Sequence, residues 1–127
     1  MEKDFDKWNE RKKALNDRER ILFNPREIWW CSFGVNIGSE QDGSGDNFER
    51  PVIIIKKLSP NTFFVAPLST KEKLEKFQSP IKHSLIFGFA LLDQIRVIDS
   101  KRLLRKIGMT DEIEFNKMKK KLAALLL

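Results

Sequence analysis

The segment Pro51-Val-Ile-Ile-Ile-Lys56 constrains this chain most, because its four consecutive β-branched residues leave no polar side to turn toward water. Such side chains are stiff at χ1 and suit a pleated surface, and a strand without alternation has to be covered on both faces. The centre of a sheet is therefore fixed first, and the rest of the chain must supply its neighbours. Ser59-Pro60-Asn61 carries turn chemistry directly after it, and residues 62–68 return as a second apolar run, so the two predict a hairpin.

On the N-terminal side, Asn24-Pro25 breaks any preceding helix, since the residue before proline is pushed out of the α region. Residues 27–33, EIWWCSF, then read as a strand. Residues 34–49 hold glycines 34, 38, 43 and 45 among polar side chains and predict a long exposed loop. After a polar, lysine-rich connection over 69–80, residues 81–86 and 89–98 add two strand candidates about a turn at Phe87-Gly88. Five strands in about 70 residues predict a mainly β chain closed into a small barrel.

Helices are expected at both ends. Residues 4–22 carry Asp4 and Asp6 in a first turn and an apolar stripe of Phe5, Trp8, Leu15 and Leu22. Asp99 is placed to cap a short helix with Leu103, Leu104 and Ile107 on its apolar side and Gly108 as its stop. Thr110 is placed to cap a second, with Phe115, Met118, Leu122 and Leu125 at spacings of three and four. The expected organisation is an N-terminal helical extension over 1–24 and one barrel domain over 25–127.

A chain of 127 residues buries one modest core, which argues against a multidomain enzyme. Lysine and arginine outnumber aspartate and glutamate by 24 to 18, a net charge of +6, which fits a polyanionic partner as well as plain solubility. The single cysteine, Cys31, has no partner for an internal disulfide and lies in an apolar run, as a buried thiol in a reducing compartment would. The N-terminal residues lack an apolar signal core and no run reaches the length of a membrane span, so a cytoplasmic protein without membrane attachment is expected.

The chemistry-bearing residues are few. One cysteine and one histidine, His83, with no clustered acids, make no metal-site spacing, and no cofactor motif is present. His83 stands alone in a predicted strand and reads as structural; Ser-His-Asp and Cys-His templates find no support. The loop glycines match neither a P-loop nor a dinucleotide fingerprint, because no helix start or GK[ST] comes after them.

Four segments nevertheless occur in a telling order. They are Gly38-Ser-Glu-Gln41, Arg50-Pro51 opening the apolar strand, Ala66-Pro-Leu-Ser-Thr70 ending the next, and Leu92-Asp-Gln-Ile-Arg-Val-Ile-Asp99 followed by Arg102-Leu103. Together they resemble the MazF/PemK family of toxin endoribonucleases over residues 26–125, with the helix at 4–22 outside the match. The resemblance implies an SH3-like small barrel (MazF/PemK/CcdB-like) with C-terminal helices, a homodimer, single-stranded RNA (mRNA) as substrate, and a cognate antitoxin whose tail covers the RNA groove.

What the resemblance implies for single residues can be set beside their chemistry. The family's catalytic arginine falls on Arg50, whose guanidinium gives two parallel hydrogen bonds to phosphate oxygens; the competing reading pairs it with Glu49. Ser69 stands where the family has its catalytic threonine, with Thr70 one place later, and Ser69-x-x-Glu72 also reads as a capping box for a helix over 70–77. Glu40 would orient Arg50 or accept the 2′-hydroxyl proton, and Gln41 would read a base edge or brace the loop. Lys71, Lys73 and Arg96 join Gln41, Thr70 and Phe48 as expected RNA contacts.

The eight residues between Gln41 and Arg50, DGSGDNFE, are an insertion relative to the family pattern and are placed to cover the groove. Of the aromatics, Phe48 is the stacking candidate, whereas Trp29 and Phe64 read as core. Two alternatives belong to other classes: a catalytically silent member that binds RNA or an antitoxin peptide, and a related toxin that targets a topoisomerase. The presence of Arg50 with a neighbouring hydroxyl favours the nuclease.

Overall fold

The structure, a computed structural model, describes residues 22–33, 49–71, 77–83 and 85–127. The expected helix over 4–22 and the glycine-rich loop therefore lie outside the described residues but for their ends, as do Glu40, Gln41, Phe48, Glu72 and Lys73. The strands are β1 (Glu27–Ser32), β2 (Glu49–Lys57), β3 (Thr62–Ser69), β4 (Gln78–Lys82), β5 (Phe87–Leu91), β6 (Arg96–Asp99) and β7 (Leu103–Met109). One helix, α1 (Glu112–Leu126), comes after them. Among the described residues no helix is long and apolar enough to cross a membrane.

The seven strands form one antiparallel sheet in the order β4-β5-β3-β2-β1-β7, with β6 pairing β3. The continuous apolar run is its centre, as the missing alternation requires. Ile53 and Ile55 of β2 enter one core cluster with Ile28, Ala66, Leu68 and Phe115. Val52 and Ile54 enter a second with Trp29, Cys31, Phe63, Val65 and Leu103. Both faces are thus covered, and each fully buried isoleucine contributes about 1.5–3 kcal/mol of burial. Trp29 is core as expected, with its indole N–H donating to Glu27 Oε1 at 2.9 Å, and Phe64 packs against the first cluster.

The mainly β architecture with a C-terminal helix agrees with the sequence, but the sheet is curled and open rather than closed. Among the described residues no ladder joins β4 to β7. Instead His83, just after β4, lays its imidazole on Gly108 of β7, where a Cβ would stand 2.2 Å from Nε2. The imidazole is held there by Leu85 N–H, which donates to Nδ1 at 3.1 Å.

Three expected boundaries are corrected. The helix begun by Asp99 is only a 3-10 turn, Ser100–Arg102, with Asp99 Oδ1 accepting from Lys101 N–H at 2.8 Å; β7 begins directly after it. Pairing with β1 through Cys31↔Leu103 and Trp30↔Arg105 overrides the helix-like spacing of Leu103, Leu104 and Ile107. Helix α1 is capped by Asp111, whose carboxylate accepts from Glu114 N–H at 3.1 Å, rather than by the buried Thr110. Phe87-Gly88 opens β5 instead of forming a turn, because the hairpin closes earlier, with His83 and Ile86 exchanging backbone hydrogen bonds.

Candidate active site

The β2–β3 hairpin decides which residues meet. Its register, Val52↔Pro67, Ile53↔Ala66 and Ile54↔Val65, carried on by two residues, sets Arg50 across from Ser69. Strand alternation then places both on the side of Val52, Ile54 and Val65, the second core cluster. The guanidinium of Arg50 donates from Nη2 to the Leu68 carbonyl at 3.3 Å, directly before Ser69. Arg50 and Ser69 are both half-buried, at the end of the sheet where β1 finishes and β2 begins.

Ser69 is fixed by the turn that leaves β3. Its Oγ accepts from Lys71 N–H at 3.2 Å, a serine turn, and the Lys71 carbonyl accepts from Gln78 Nε2 at 3.3 Å. Gln78 is buried on β4, so the start of one strand holds the turn after another. Gly88 of β5 lets the backbone come close: a Cβ there would stand 3.0 Å from the Ser69 carbonyl oxygen. Thr70 and Lys71 are exposed beside this turn.

Glu49 and Arg50 diverge. Glu49 is gripped by Arg105 of β7 through both guanidinium nitrogens, at 2.8 and 3.2 Å, while that guanidinium lies 5.1 Å from the Trp30 ring centroid. The carboxylate raises the Arg105 pKa. On the other side of β2, Arg50 pairs in register with Cys31. The Cys31 thiol is fully buried, and burial pushes its pKa up to about 12 against the opposing pull of Arg102 and Arg96, so it stays a neutral thiol.

Of the residues expected from sequence, Arg50, Ser69, Thr70 and Lys71 come together at the hairpin end, and Arg96 joins from β6 with its guanidinium 4.6 Å from the Phe33 ring centroid. Glu40, Gln41, Phe48 and Lys73 lie outside the described residues. Two residues escape a reading of the sequence: Gln78, which braces the Ser69 turn, and Arg102, which lies by Cys31. Gln78 sits in a polar segment with no spacing signal, and Arg102 carries no signal beyond its place in a motif.

A family model described as PemK-like, MazF-like toxin of type II toxin-antitoxin system matches residues 24–126. The chain belongs to this family. No curated relative matches by sequence. Among solved structures, MazF from Deinococcus radiodurans is similar at TM-score 0.68 and 22% identity, over 84% of this chain and 97% of that one. An endoribonuclease from a mycobacterial species, in complex with its cognate antitoxin, has TM-score 0.66 at 15% identity, over 83% of this chain and 95% of that one. The Mycobacterium tuberculosis toxin MazF-mt6 gives 0.60 at 16%, over 80% and 96%. At such identities the structural likeness establishes the MazF fold alone. The MazF/PemK assignment rests on the family match, which spans all of the described site.

Proposed function

We propose that this MazF/PemK chain is a homodimeric toxin endoribonuclease that cuts single-stranded RNA at preferred sequences, in the cytoplasm and without a metal. The observation that carries the reading is the meeting of Arg50 and Ser69 on one face at the open end of the β2–β3 hairpin. An arginine fork beside a hydroxyl suits a phosphodiester.

In the proposed reaction the substrate's 2′-oxygen bonds to the adjacent phosphorus as the P–O5′ bond breaks. The products are a 2′,3′-cyclic phosphate and a 5′-hydroxyl. The 2′ proton leaves to a base, for which Glu40 is proposed, and the departing 5′-oxygen takes a proton from solvent water. Arg50 opposes the charge that builds on the phosphorane, and the Ser69 hydroxyl holds a phosphate oxygen. Arginine stays protonated far above neutral pH, so it is a poor proton shuttle and turnover should be slow.

A cognate antitoxin is proposed to silence the toxin by covering this end of the sheet, since MazE–MazF pairs and a mycobacterial endoribonuclease–antitoxin pair are among the similar structures. The test is incubation of the purified chain with mixed RNA in excess chelator, followed by mapping of the ends. Cyclic-phosphate termini at recurring sequences are expected. Intact RNA, or cleavage that returns only with magnesium, would overturn the mechanism. Intact RNA that is still bound would instead identify a silent binding module.

A further inference from the structure

Three strands bring a second pair of cations to the active-site end of the sheet. One rung runs Arg50↔Cys31↔Leu103 across β2, β1 and β7, so the backbone at Arg102 and Leu103 lies two strand spacings, about 10 Å, from Arg50. The 3-10 turn that delivers Arg102 is tied down at both ends. Asp99 Oδ1 accepts from Lys101 N–H at 2.8 Å, and Leu103 N–H donates to the Ser100 carbonyl. Arg96 arrives from β6, opposite Val65 of β3, and lies over Phe33 in a cation–π contact at 4.6 Å.

The two guanidinium groups thus converge on the Cys31–Phe33 end of β1, beside the second core cluster. Both act on the Cys31 thiol, and Arg96 acts on Arg102. Arg102 is half-buried, and burial first, then the like charge of Arg96, lowers its pKa, while the Cys31 and Asp99 side chains offset part of this. Two guanidinium groups brought to one end of a strand beside an apolar cluster offer forked donors suited to a phosphate.

We propose that Arg96 and Arg102 together form a subsite for one non-scissile phosphate of the RNA strand, placed to one side of the Arg50–Ser69 pair. This deepens the nuclease reading and rests on it for the identity of the anion. The subsite sets the register of the strand. Arg50 meets the reacting phosphate, and the arginine pair holds a neighbouring one still, as phosphate contacts do when they position a chain without reading its sequence. Arg102 is a positioning residue here, acting on affinity rather than on the chemical step.

The experiment uses the full chain and a labelled, mixed-sequence, single-stranded RNA whose riboses are 2′-O-methylated, which cannot be cut. Affinity is measured from about 50 to 300 mM salt. One phosphate neutralised on a single strand is worth about 0.7 in the slope of log K against log salt. Arg102→Gln should lower the slope by about that amount. Arg96→Gln added to it should change the slope little further, because the same phosphate is lost once. With cleavable RNA, KM should rise about tenfold and kcat stay within a few-fold. If Arg102→Gln fails to fold, Arg96→Gln alone carries the same expected loss of slope.

An unchanged slope in a folded variant would overturn the subsite, and so would a double variant that loses twice as much, since the two arginines would then hold separate phosphates. If the parent binds the uncut strand with the expected slopes yet leaves cleavable RNA intact, the subsite stands and the nuclease reading falls. If the parent cuts RNA and the variants bind as it does, the reverse holds.

Discussion

Glu49 and Arg50, neighbours in β2, are committed to opposite sides of the strand: Glu49 to the Arg105 guanidinium at 2.8 Å, Arg50 to the Leu68 carbonyl at 3.3 Å. The sequence alone allowed the two to pair with each other. Strand alternation sends them apart, and the long reach of Arg105 from the β7 edge brings it to the acid, while Arg50 lies on the face it shares with Ser69.

Arg105→Ala should therefore leave function nearly intact. Its side chain is 57% exposed, and water and salt screen exposed pairs of this kind, so the pair contributes little to the fold. The expected result is a urea midpoint close to the parent's, with cleavage within a few-fold of it. A loss of cleavage with the fold intact would place Arg105 at the RNA.

Gly108→Ala tests how the open sheet is held at its two ends. A Cβ at this position would stand 2.2 Å from His83 Nε2, so the imidazole has to leave its place, and Leu85 N–H loses its acceptor. A destabilisation of about 1–3 kcal/mol is expected, as for other overpacked sites. His83→Ala combined with Gly108→Ala should recover part of it. Additive losses in the double variant would show that the two residues do not act on each other.

Glu27 predicts a sensitivity to acid. Burial works to raise its pKa, but hydrogen bonds from the Trp29 indole and the Asn24 N–H, with Lys106 adding a bond and a charge, outweigh burial and leave it below the ordinary carboxylate value. A lowered folded-state pKa means stability that is present above the unfolded value and lost as pH falls through the folded one. Glu27→Gln retains an oxygen for Trp29 but gives up the 3.1 Å ion pair with Lys106. Its Tm should be lower than the parent's at neutral pH, and the gap should close on acidification below about pH 4. A gap that is the same at all pH values would refute the linkage.

The unequal legibility of the sequence has physical causes. Val52 to Ile55 can be read because a strand buried on both faces has only one place in a sheet, and the Ser59-Pro60-Asn61 turn then fixes its partner. Residues 103–109 cannot, since Leu103, Leu104 and Ile107 satisfy helical spacing. Only pairing with β1, a contact roughly 70 or more residues away along the chain, makes them a strand. The Asp99 cap is real but local, closing one turn. At the site, Arg50 and Ser69 are legible through the family motif. Their facing arrangement depends on the hairpin register, and Gln78, at the start of β4, braces the Ser69 turn from a polar segment that leaves no periodic signal.

Ser69→Ala separates a structural hydroxyl from a reacting one. The turn bond to Lys71 N–H is solvent-exposed at 3.2 Å, so its loss should lower stability by about 0.5–1.5 kcal/mol at most. Cleavage is expected to fall much further than this change in fold accounts for, and much further than in Thr70→Ala, at an exposed neighbour that would lose only a substrate contact. If the two variants exchange these outcomes, Thr70 is the hydroxyl that meets the phosphate.

Replacing Arg50 by lysine is the most demanding test, because it keeps the charge and removes the fork. A pentacoordinate phosphorane spreads its negative charge over oxygens that a planar guanidinium contacts together, whereas an ammonium is a single flexible point charge. Both Arg50→Lys and Arg50→Ala should lose cleavage by roughly 100- to 1,000-fold, about 2.7–4 kcal/mol, the usual effect of removing one transition-state donor. Affinity for uncut RNA should fall far less, since other basic groups share the ground-state phosphates. The fold should survive, because the bond from Nη2 to the Leu68 carbonyl lies at the end of the hairpin and both core clusters are built without Arg50. The chain should still run as a dimer near twice 14.9 kDa. Cleavage by Arg50→Lys within a few-fold of the parent would make Arg50 a binding or structural residue and end its assignment to the chemical step.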